Sequence, residues 1–399
     1  MDDSTLQPWQ EINENGVICD VSSLFAFLET IRDPRKARGK RYHLTTLLVI
    51  ILLANLCGQD TPVAMSDWAK NHAAVLVHLL TLKQTWMPHH NTLRRVFQNI
   101  LDEAECNRLM QAYQQQAKQG EQLAIDGKRL RGTRIADGEP ADHRLSVDAV
   151  HHQRVLAQGA VGRTEHAIGA VPRDLEQVVI AGTIITGDAL HAQRALAAQM
   201  VARGGDDRWV VQENPRGWSH ERAQVVAAAT LRPGYGTIST DGQHADMIKK
   251  GHRRLEQRRI QTSAMRNDDR DWPGLGQVYR LERHFSWIRQ GKVIKTSHAV
   301  EDGITNLSRE QASPKRVMQV RRKHWLIETG LHYRRDVTFR EDATRMTKGA
   351  SGRMLATIPN VVLALIKQAG FQHAAQARRW FDGHIDQAFA LLISEHVRL

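Results

Sequence analysis

The chain has 399 residues, 41% of them hydrophobic, which is enough for two or three globular domains. Lysine and arginine outnumber aspartate and glutamate 55 to 43, a formal net charge of +12; the cations run along the whole chain, so the anionic partner expected is nucleic acid rather than a membrane. Three scattered cysteines without CxxC spacing exclude a disulfide framework and a cysteine zinc site, and the polar opening MDDSTLQPWQ excludes a signal peptide, so a cytoplasmic, nucleoid-associated protein is expected.

Residues 22 to about 115 read as helices. Ser22-Ser23 offers an N-cap to LFAFLETI, and Asp33-Pro34-Arg35 ends that helix before a basic stretch that runs to Arg41. Leu44 to Leu56 is an apolar run too short to span a bilayer and suited to a buried helix. Ser66 to Leu82 is predicted as one helix with Trp68 on its apolar side. His90 to Phe97 begins with a cap and sets Arg94 and Arg95 on a short amphipathic helix, which suits DNA reading and equally an ordinary basic surface. From 121 the texture changes to strands: QLAID, RLSVDAV, RVLAQGAV, GTIITGD and RWVVQ, with an alanine-rich helix, Ala189 to Arg203, between the last two. The order is three strands, a connecting helix, a fourth strand, a helix and a fifth strand, an α/β arrangement. Residues 241–303 interrupt it as a mostly β insert. Helices follow at Arg309 to Arg335, 350–369, 372–381 and 385–395. The expected division is an N-terminal helical DNA-binding domain (1–115), a core in two parts (116–240 and 304–399), and the insert between them.

Two strand segments end in an acid. Asp126 closes LAID and is followed by Gly127, Lys128, Arg129 and Arg131; Asp188 closes TIITGD. Either alone reads equally well as a turn cap, but a pair at one sheet edge suits divalent metal. A third acid, Glu328, shares a helix side with His332 at i, i+4, and Trp325, Leu326, Ile327 and Leu331 give that helix an apolar face. Arg321, Arg322, Lys323, Arg334 and Arg335 surround it. Phosphodiester chemistry needs charge neutralised on the phosphate and a nucleophilic water, which two Mg²⁺ ions roughly 3.5–4 Å apart supply. Mg²⁺ takes oxygen ligands, so Asp126, Asp188 and Glu328 are the candidate catalytic and metal-binding residues. Asp336, Glu341 and Asp342 lie near enough to substitute for the third acid.

With these segments placed, the chain resembles the ISAs-type, H-repeat-associated insertion-sequence transposases over most of its length. Asp33-Pro34-Arg35 with Arg38-Gly39-Lys40-Arg41-Tyr42 looks like the N-terminal DPR…RG block, and Thr92-Leu93-Arg94-Arg95 resembles the TLRR segment. Asp126-Gly127-Lys128-Arg129-Leu130-Arg131-Gly132 is similar to the motif of the first acid, and Thr186-Gly187-Asp188-Ala189-Leu190-His191-Ala192-Gln193 to that of the second. His324-Trp325-Leu326-Ile327-Glu328, with Leu331-His332 and Arg335 to Asp342, looks like the block of the third. The sequence departs from the family pattern at Gln212-Glu213-Asn214-Pro215, Arg163-Thr164-Glu165, Gly251 to Arg258 and Ala299-Val300.

The resemblance implies an RNase H-like mixed sheet flanked by helices, a DDE triad of Asp126, Asp188 and Glu328, and Mg²⁺ as cofactor with Mn²⁺ as substitute. It implies hydrolysis and strand transfer on double-stranded DNA at insertion-sequence ends by a homodimer or larger assembly. Arg94, Arg95, Lys128, Arg129, Arg131, His191, Gln193, Asn214, His252, Arg253, Arg254, Arg321, Arg322, Lys323, His324 and Trp325 are expected against the DNA. The alternative is a domesticated descendant, a DNA-binding protein or a nuclease that no longer transposes.

Overall fold

The computed structural model describes residues 10–12, 16–20, 22–38, 40–100, 105–106, 108–109, 117–130, 143–151, 154–161, 167–211, 242–251, 253–264, 272–344, 346 and 351–394. A small hairpin, β1 (Gln10–Ile12) and β2 (Ile18–Asp20), leads into five helices: α1 (Leu24–Glu29), α2 (Leu44–Leu56), α3 (Pro62–Asn71), α4 (Ala73–Leu79) and α5 (His90–Asn99). Ser23 caps α1 by accepting the Ala26 N–H, and Thr61 caps α3 in the same way ahead of Pro62. The predicted helix over Ser66 to Leu82 is two helices. His72 separates them, its Nδ1 lying 2.9 Å from the Trp68 carbonyl at the end of α3.

A nine-stranded sheet forms the centre. Its strands are β3 (Gln122–Arg129), β4 (His143–Ala149), β5 (Arg154–Ala160), β6 (Ile184–Gly187), β7 (Asp206–Val211), β8 (Gln243–Gly251), β9 (Arg254–Ser263), β10 (Gln277–Arg289) and β11 (Lys292–Thr305). The order is β5-β4-β3-β6-β7-β11-β10-β9-β8. β3, β4 and β5 are antiparallel neighbours, β6 and β7 run parallel to β3, and β11 pairs antiparallel with β7. The first five strands therefore have the RNase H-like arrangement, and β8 to β11 continue the same sheet. Helices α6 (Ala167–Glu176) and α7 (Arg194–Ala202) interleave with the strands as expected, and α8 (Pro314–His324) follows β11. The chain ends in α9 (Ser351–Gln368), α10 (Ala374–Asp382) and α11 (Ile385–Ile393).

Alternation along β3 decides what each sheet face carries. Leu123 and Ile125 pack with Ile185, Trp209 and the buried faces of α6 and α7. Ala124 points the other way, into a core that also holds α2, α5, α9, α10 and α11. The N-terminal and C-terminal helices thus share one apolar interior. α2 is buried almost all round, as its sequence predicted. Arg378 on α10 fastens the two groups: it donates to the carbonyls of Asn55 (2.9 Å) and Thr338 (2.6 Å) and pairs with Asp60. Further along the sheet, α8 covers Ile184, Ile260, Tyr279 and Leu281.

Candidate active site

The parallel pairing of β3 with β6 matches Ala124 to Thr186. Asp126 lies two residues beyond Ala124 on β3, and Asp188 two beyond Thr186, just past the end of β6; Asp188 is not among the ligand atoms gathered around Asp126. Gly187 permits that position, because a Cβ there would lie 2.7 Å from the Trp209 ring and 2.9 Å from the His191 Cβ. The expected helix from Ala189 begins instead as a short 3₁₀ turn, with α7 starting only at Arg194, because Gln193 is extended. Asp188 caps the turn, Oδ1 accepting the Leu190 N–H at 3.0 Å, while His191 Nδ1 lies 2.7 Å from the same oxygen. Burial pushes the Asp188 carboxyl up, but the His191 hydrogen bond and charge and the backbone N–H groups outweigh it, leaving the group below its ordinary value.

Glu328 arrives from the segment after α8. That segment is a widened, π-wound helix over Ile327–His332 and Arg334–Thr338, in which the Tyr333 N–H bonds to the Glu328 carbonyl five residues back. The winding changes which residues are buried. Trp325 and Leu326, read from the sequence as apolar-face residues, are exposed, whereas Ile327 and Leu331 enter the core. Ligand atoms of Asp126, Glu328 and His332 all lie within 4.8 Å of one another. His332 Nδ1 is 3.5 Å from Asp126 Oδ2 and 3.6 Å from Glu328 Oε2. The Asp126 side chain is 21% exposed and that of Glu328 51%. Burial pushes the Asp126 carboxyl up to about 6, with His332 opposing and Glu328 adding to the rise. The His332 imidazole beside it holds Glu328 below its ordinary value. His332 Nε2 is buried without a hydrogen-bond partner among the described residues.

The neighbouring acids have other work. Lys128 points inward and pairs with Asp336, its Nζ also lying 3.4 Å from Glu341 Oε2. Glu341 receives the fully buried Arg335 at 2.7 and 2.8 Å. On β11, Glu301 binds Arg321 through both oxygens (2.6–2.8 Å) and Arg208 at 2.6 Å; burial raises its carboxyl, but the arginines bring it to about 2. Asp148 on β4 is paired with Ala124 and fully buried, which pushes its carboxyl up to about 8. The sequence reading passed over Asp148 and Glu301. Asp148 sits within a strand segment, and its alternation with Leu145 and Val147 was the available signal.

The profile of a family described as "Transposase DDE domain" matches residues 118–358, and one described as "DDE_Tnp_1-associated" matches residues 25–114. The chain belongs to the transposase DDE domain family. The H repeat-associated "putative transposase YhhI" of Escherichia coli (strain K12) is 22% identical over 93% of this chain and 97% of its own length. The "Putative transposase YncI" of E. coli O157:H7 is 24% identical over 87% of this chain and 88% of its own length. An uncharacterized protein from the region 3′ of dhlA in Xanthobacter autotrophicus is 29% identical over 64% of this chain and 86% of its own. Among solved structures, a piggyBac transposase in a cryo-EM synaptic complex with hairpin DNA aligns over 92% of this chain and 77% of that one, at 14% identity and a TM-score of 0.42.

In this transposase the basic residues singled out from sequence divide by exposure. Arg94 and Arg95 on α5, Arg129, Arg253 and Arg254 are exposed, and Arg322 and Lys323 half-buried. Lys128 and Arg321 are not available to phosphate in this conformation, because both are turned inward onto carboxylates. His191 is buried against Asp188, and Gln193 donates to the Leu190 carbonyl. His324 is buried with Nδ1 3.0 Å from Thr186 Oγ1; burial and then the charges of Arg321 and Arg208 push its imidazole down to about 3, so it is neutral. Trp325, 48% exposed, lies under the Arg321 guanidinium. Arg131, Asn214 and His252 lie outside the described residues, as do the motifs at 163–165 and 212–215. Among the described residues no helix is long and apolar enough to cross a membrane.

Proposed function

We propose that this transposase cuts phosphodiester bonds of double-stranded DNA at the ends of an insertion sequence and joins the freed 3′ ends to target DNA, as a Mg²⁺-dependent endonuclease and polynucleotidyl transferase that also accepts Mn²⁺. Asp126, Asp188 and Glu328 are the metal-binding and catalytic residues of this reading. The approach of Glu328 to Asp126, with β3 and β6 paired in parallel as far as Ala124 and Thr186, is the observation that supports it most. The donor set fits a hard cation: carboxylate oxygens with one imidazole, and an Asp126 whose carboxyl stays protonated to about pH 6 when only the protein's own charges face it. When bound, such ions neutralise the phosphate and lower the pKa of an attacking water. Asp126 and Asp188 give that site fixed strand-end ligands, Glu328 closes it from the π-wound segment, and His332 holds the two nearer carboxylates in place.

Arg94, Arg95, Arg129, Arg253 and Arg254 supply exposed cations for the DNA backbone, and the helices of residues 1–115 supply end recognition. Residues 116–240 and 304–399 act as the catalytic core around the segment 241–303. Two element ends handled together call for a homodimer or larger assembly, working at the nucleoid in the cytoplasm. The test is cleavage of an end-containing duplex with Mg²⁺ or Mn²⁺. Asp126→Asn, Asp188→Asn and Glu328→Gln are each expected to bind the duplex and release no product; cutting at the wild-type rate by Asp126→Asn ends the proposal. Cleaved but never joined products identify a nuclease without transposition.

A further inference from the structure

The long ribbon formed by β10 and β11 carries a second group of metal-ligating side chains on the opposite face of the sheet. The two strands pair in unbroken register from Gln277 with Thr305 to Trp287 with Lys295. On β10 the odd-numbered Tyr279 and Leu281 turn toward α8, so the even positions face away. His284 is one of these, and the register sets it directly opposite His298 on β11. Glu282 shares the face, two residues before His284. One nitrogen of each histidine and one oxygen of Glu282 lie within 4.8 Å of one another, and the two imidazoles stack with centroids 4.2 Å apart and planes 18° from parallel. Both histidines are exposed, so no core packing accounts for them. The flanking arginines have carboxylates of their own: Arg259 bonds Asp246 at 2.9 Å, and Arg280 bonds Asp302 at 2.8 Å through two nitrogens.

We propose that Glu282, His284 and His298 form a binding site for a transition-metal ion of the Zn²⁺ class. Two imidazoles and a carboxylate are a donor set Zn²⁺ takes in open sites, with water in the remaining position. Bond lengths of about 2.0–2.2 Å put tetrahedral donors roughly 3.3–3.5 Å apart, so the three side chains close in by about 1 Å, which rotation about their exposed χ angles provides. The backbone need not move, because cross-strand pairing already holds the histidines opposite one another. Bound there, the ion cross-links β10 to β11. Nitrogen donors order the affinities with Zn²⁺ and Cu²⁺ above Co²⁺, and leave Mg²⁺ a poor competitor. The site therefore stands independently of the acids around Asp126. Among the described residues the other grouping of this kind away from those acids, Glu11, Cys19 and Glu29, is less suited, since the Cys19 thiol is buried and pushed up to about 11.

The test uses the full chain stripped with EDTA, carrying Asp126→Asn and Glu328→Gln so that the acids facing α8 do not contribute. Calorimetric titration with Zn²⁺ and absorption titration with Co²⁺ read the site. One ion per chain is expected, unaffected by excess Mg²⁺. His284→Ala or His298→Ala added to this background is expected to weaken binding at least about tenfold and remove the Co²⁺ absorption, and Glu282→Gln to weaken it less. Because these side chains are exposed, each variant is expected to melt at the temperature of its parent without metal. Absence of binding in the parent, or binding unchanged by both histidine substitutions, means that the pair is only a stacked cross-strand contact and overturns the proposal.

Discussion

Without a divalent cation, Asp126→Asn is expected to make the protein more stable at neutral pH, the reverse of what removing a half-buried hydrogen-bonded group usually does. Burial pushes the folded carboxyl up to about 6 from an ordinary 3.8. A folded state that holds its proton more tightly than the unfolded state is favoured at low pH. Relative to its strongly acidic level, stability is intact below 3.8, falls as pH rises from there to about 6, and stays at the lower level above. At about 1.36 kcal/mol per pH unit, that interval corresponds to up to about 3 kcal/mol at pH 7.5. The figure is a ceiling, because Asp126 titrates together with Glu328, whose own carboxyl is held low by His332. Asparagine keeps an oxygen for the Gly127 N–H that Asp126 Oδ1 accepts at 2.7 Å, so the substitution removes charge with little loss of shape. Denaturation of wild type and variant in EDTA, followed from pH 4 to pH 8, measures the difference. The variant is expected to gain roughly 1–3 kcal/mol at pH 7.5, with the gap closing toward pH 4. Saturating Mg²⁺ is expected to narrow it by stabilising the wild type alone. A variant less stable than wild type at pH 7.5 in EDTA, or a gap indifferent to pH, refutes the reasoning.

Three other perturbations separate structure from function. Glu301→Gln leaves Arg208 and Arg321 buried without the carboxylate they share and is expected to destabilise by about 3–5 kcal/mol, seen as a lowered melting temperature or loss of soluble protein. Arg378→Ala strands the Asp60 carboxylate and the Asn55 and Thr338 carbonyls between the two helical groups; a loss of about 2–4 kcal/mol is expected, and an unchanged melting temperature counts against the shared core as drawn. Lys128→Ala is expected to lower thermal stability by freeing Asp336 and Glu341, whereas Arg129→Ala leaves the melt alone and reduces the salt dependence of duplex binding by about one counterion. A salt slope that responds to Lys128 and not to Arg129 reverses that assignment.

The strand order and the two strand-end acids were legible because each depends on local pattern. A run of apolar residues closed by Gly and Asp reads as a strand end wherever the strand is placed, and the two strands that lead to Asp126 and Asp188 pair in parallel as neighbours. The helix carrying Glu328 was less legible. Its sequence suits a regular helix, and the π winding that exposes Trp325 and Leu326 while burying Ile327 and Leu331 is set by packing against the sheet and the C-terminal helices. Charge was the least legible property. Nothing near Lys128 in the chain marks it as buried, because Asp336 lies 208 residues away. The doubling of Ser66 to Leu82 into α3 and α4 likewise turns on a single residue, His72, whose contact with the Trp68 carbonyl only the folded helix creates.

That redistribution of cations also bears on which late acid accompanies the strand-end pair. From sequence alone Glu328, Asp336, Glu341 and Asp342 were all eligible. In the fold, Asp336 is taken by Lys128, and Glu341 by Lys128 and Arg335. Among the described residues Asp126 and Glu328 contact no lysine or arginine at salt-bridge distance and have only His332 between them; Asp188 has only His191. A carboxylate already neutralised by a buried guanidinium gains little from an added cation and must break a strong pair to reach it. Acids that face no lysine or arginine have no such pair to break before they meet a divalent ion. Counter-charge, more than distance along the chain, is therefore the property that favours Glu328 over Asp336 and Glu341 in the proposed site.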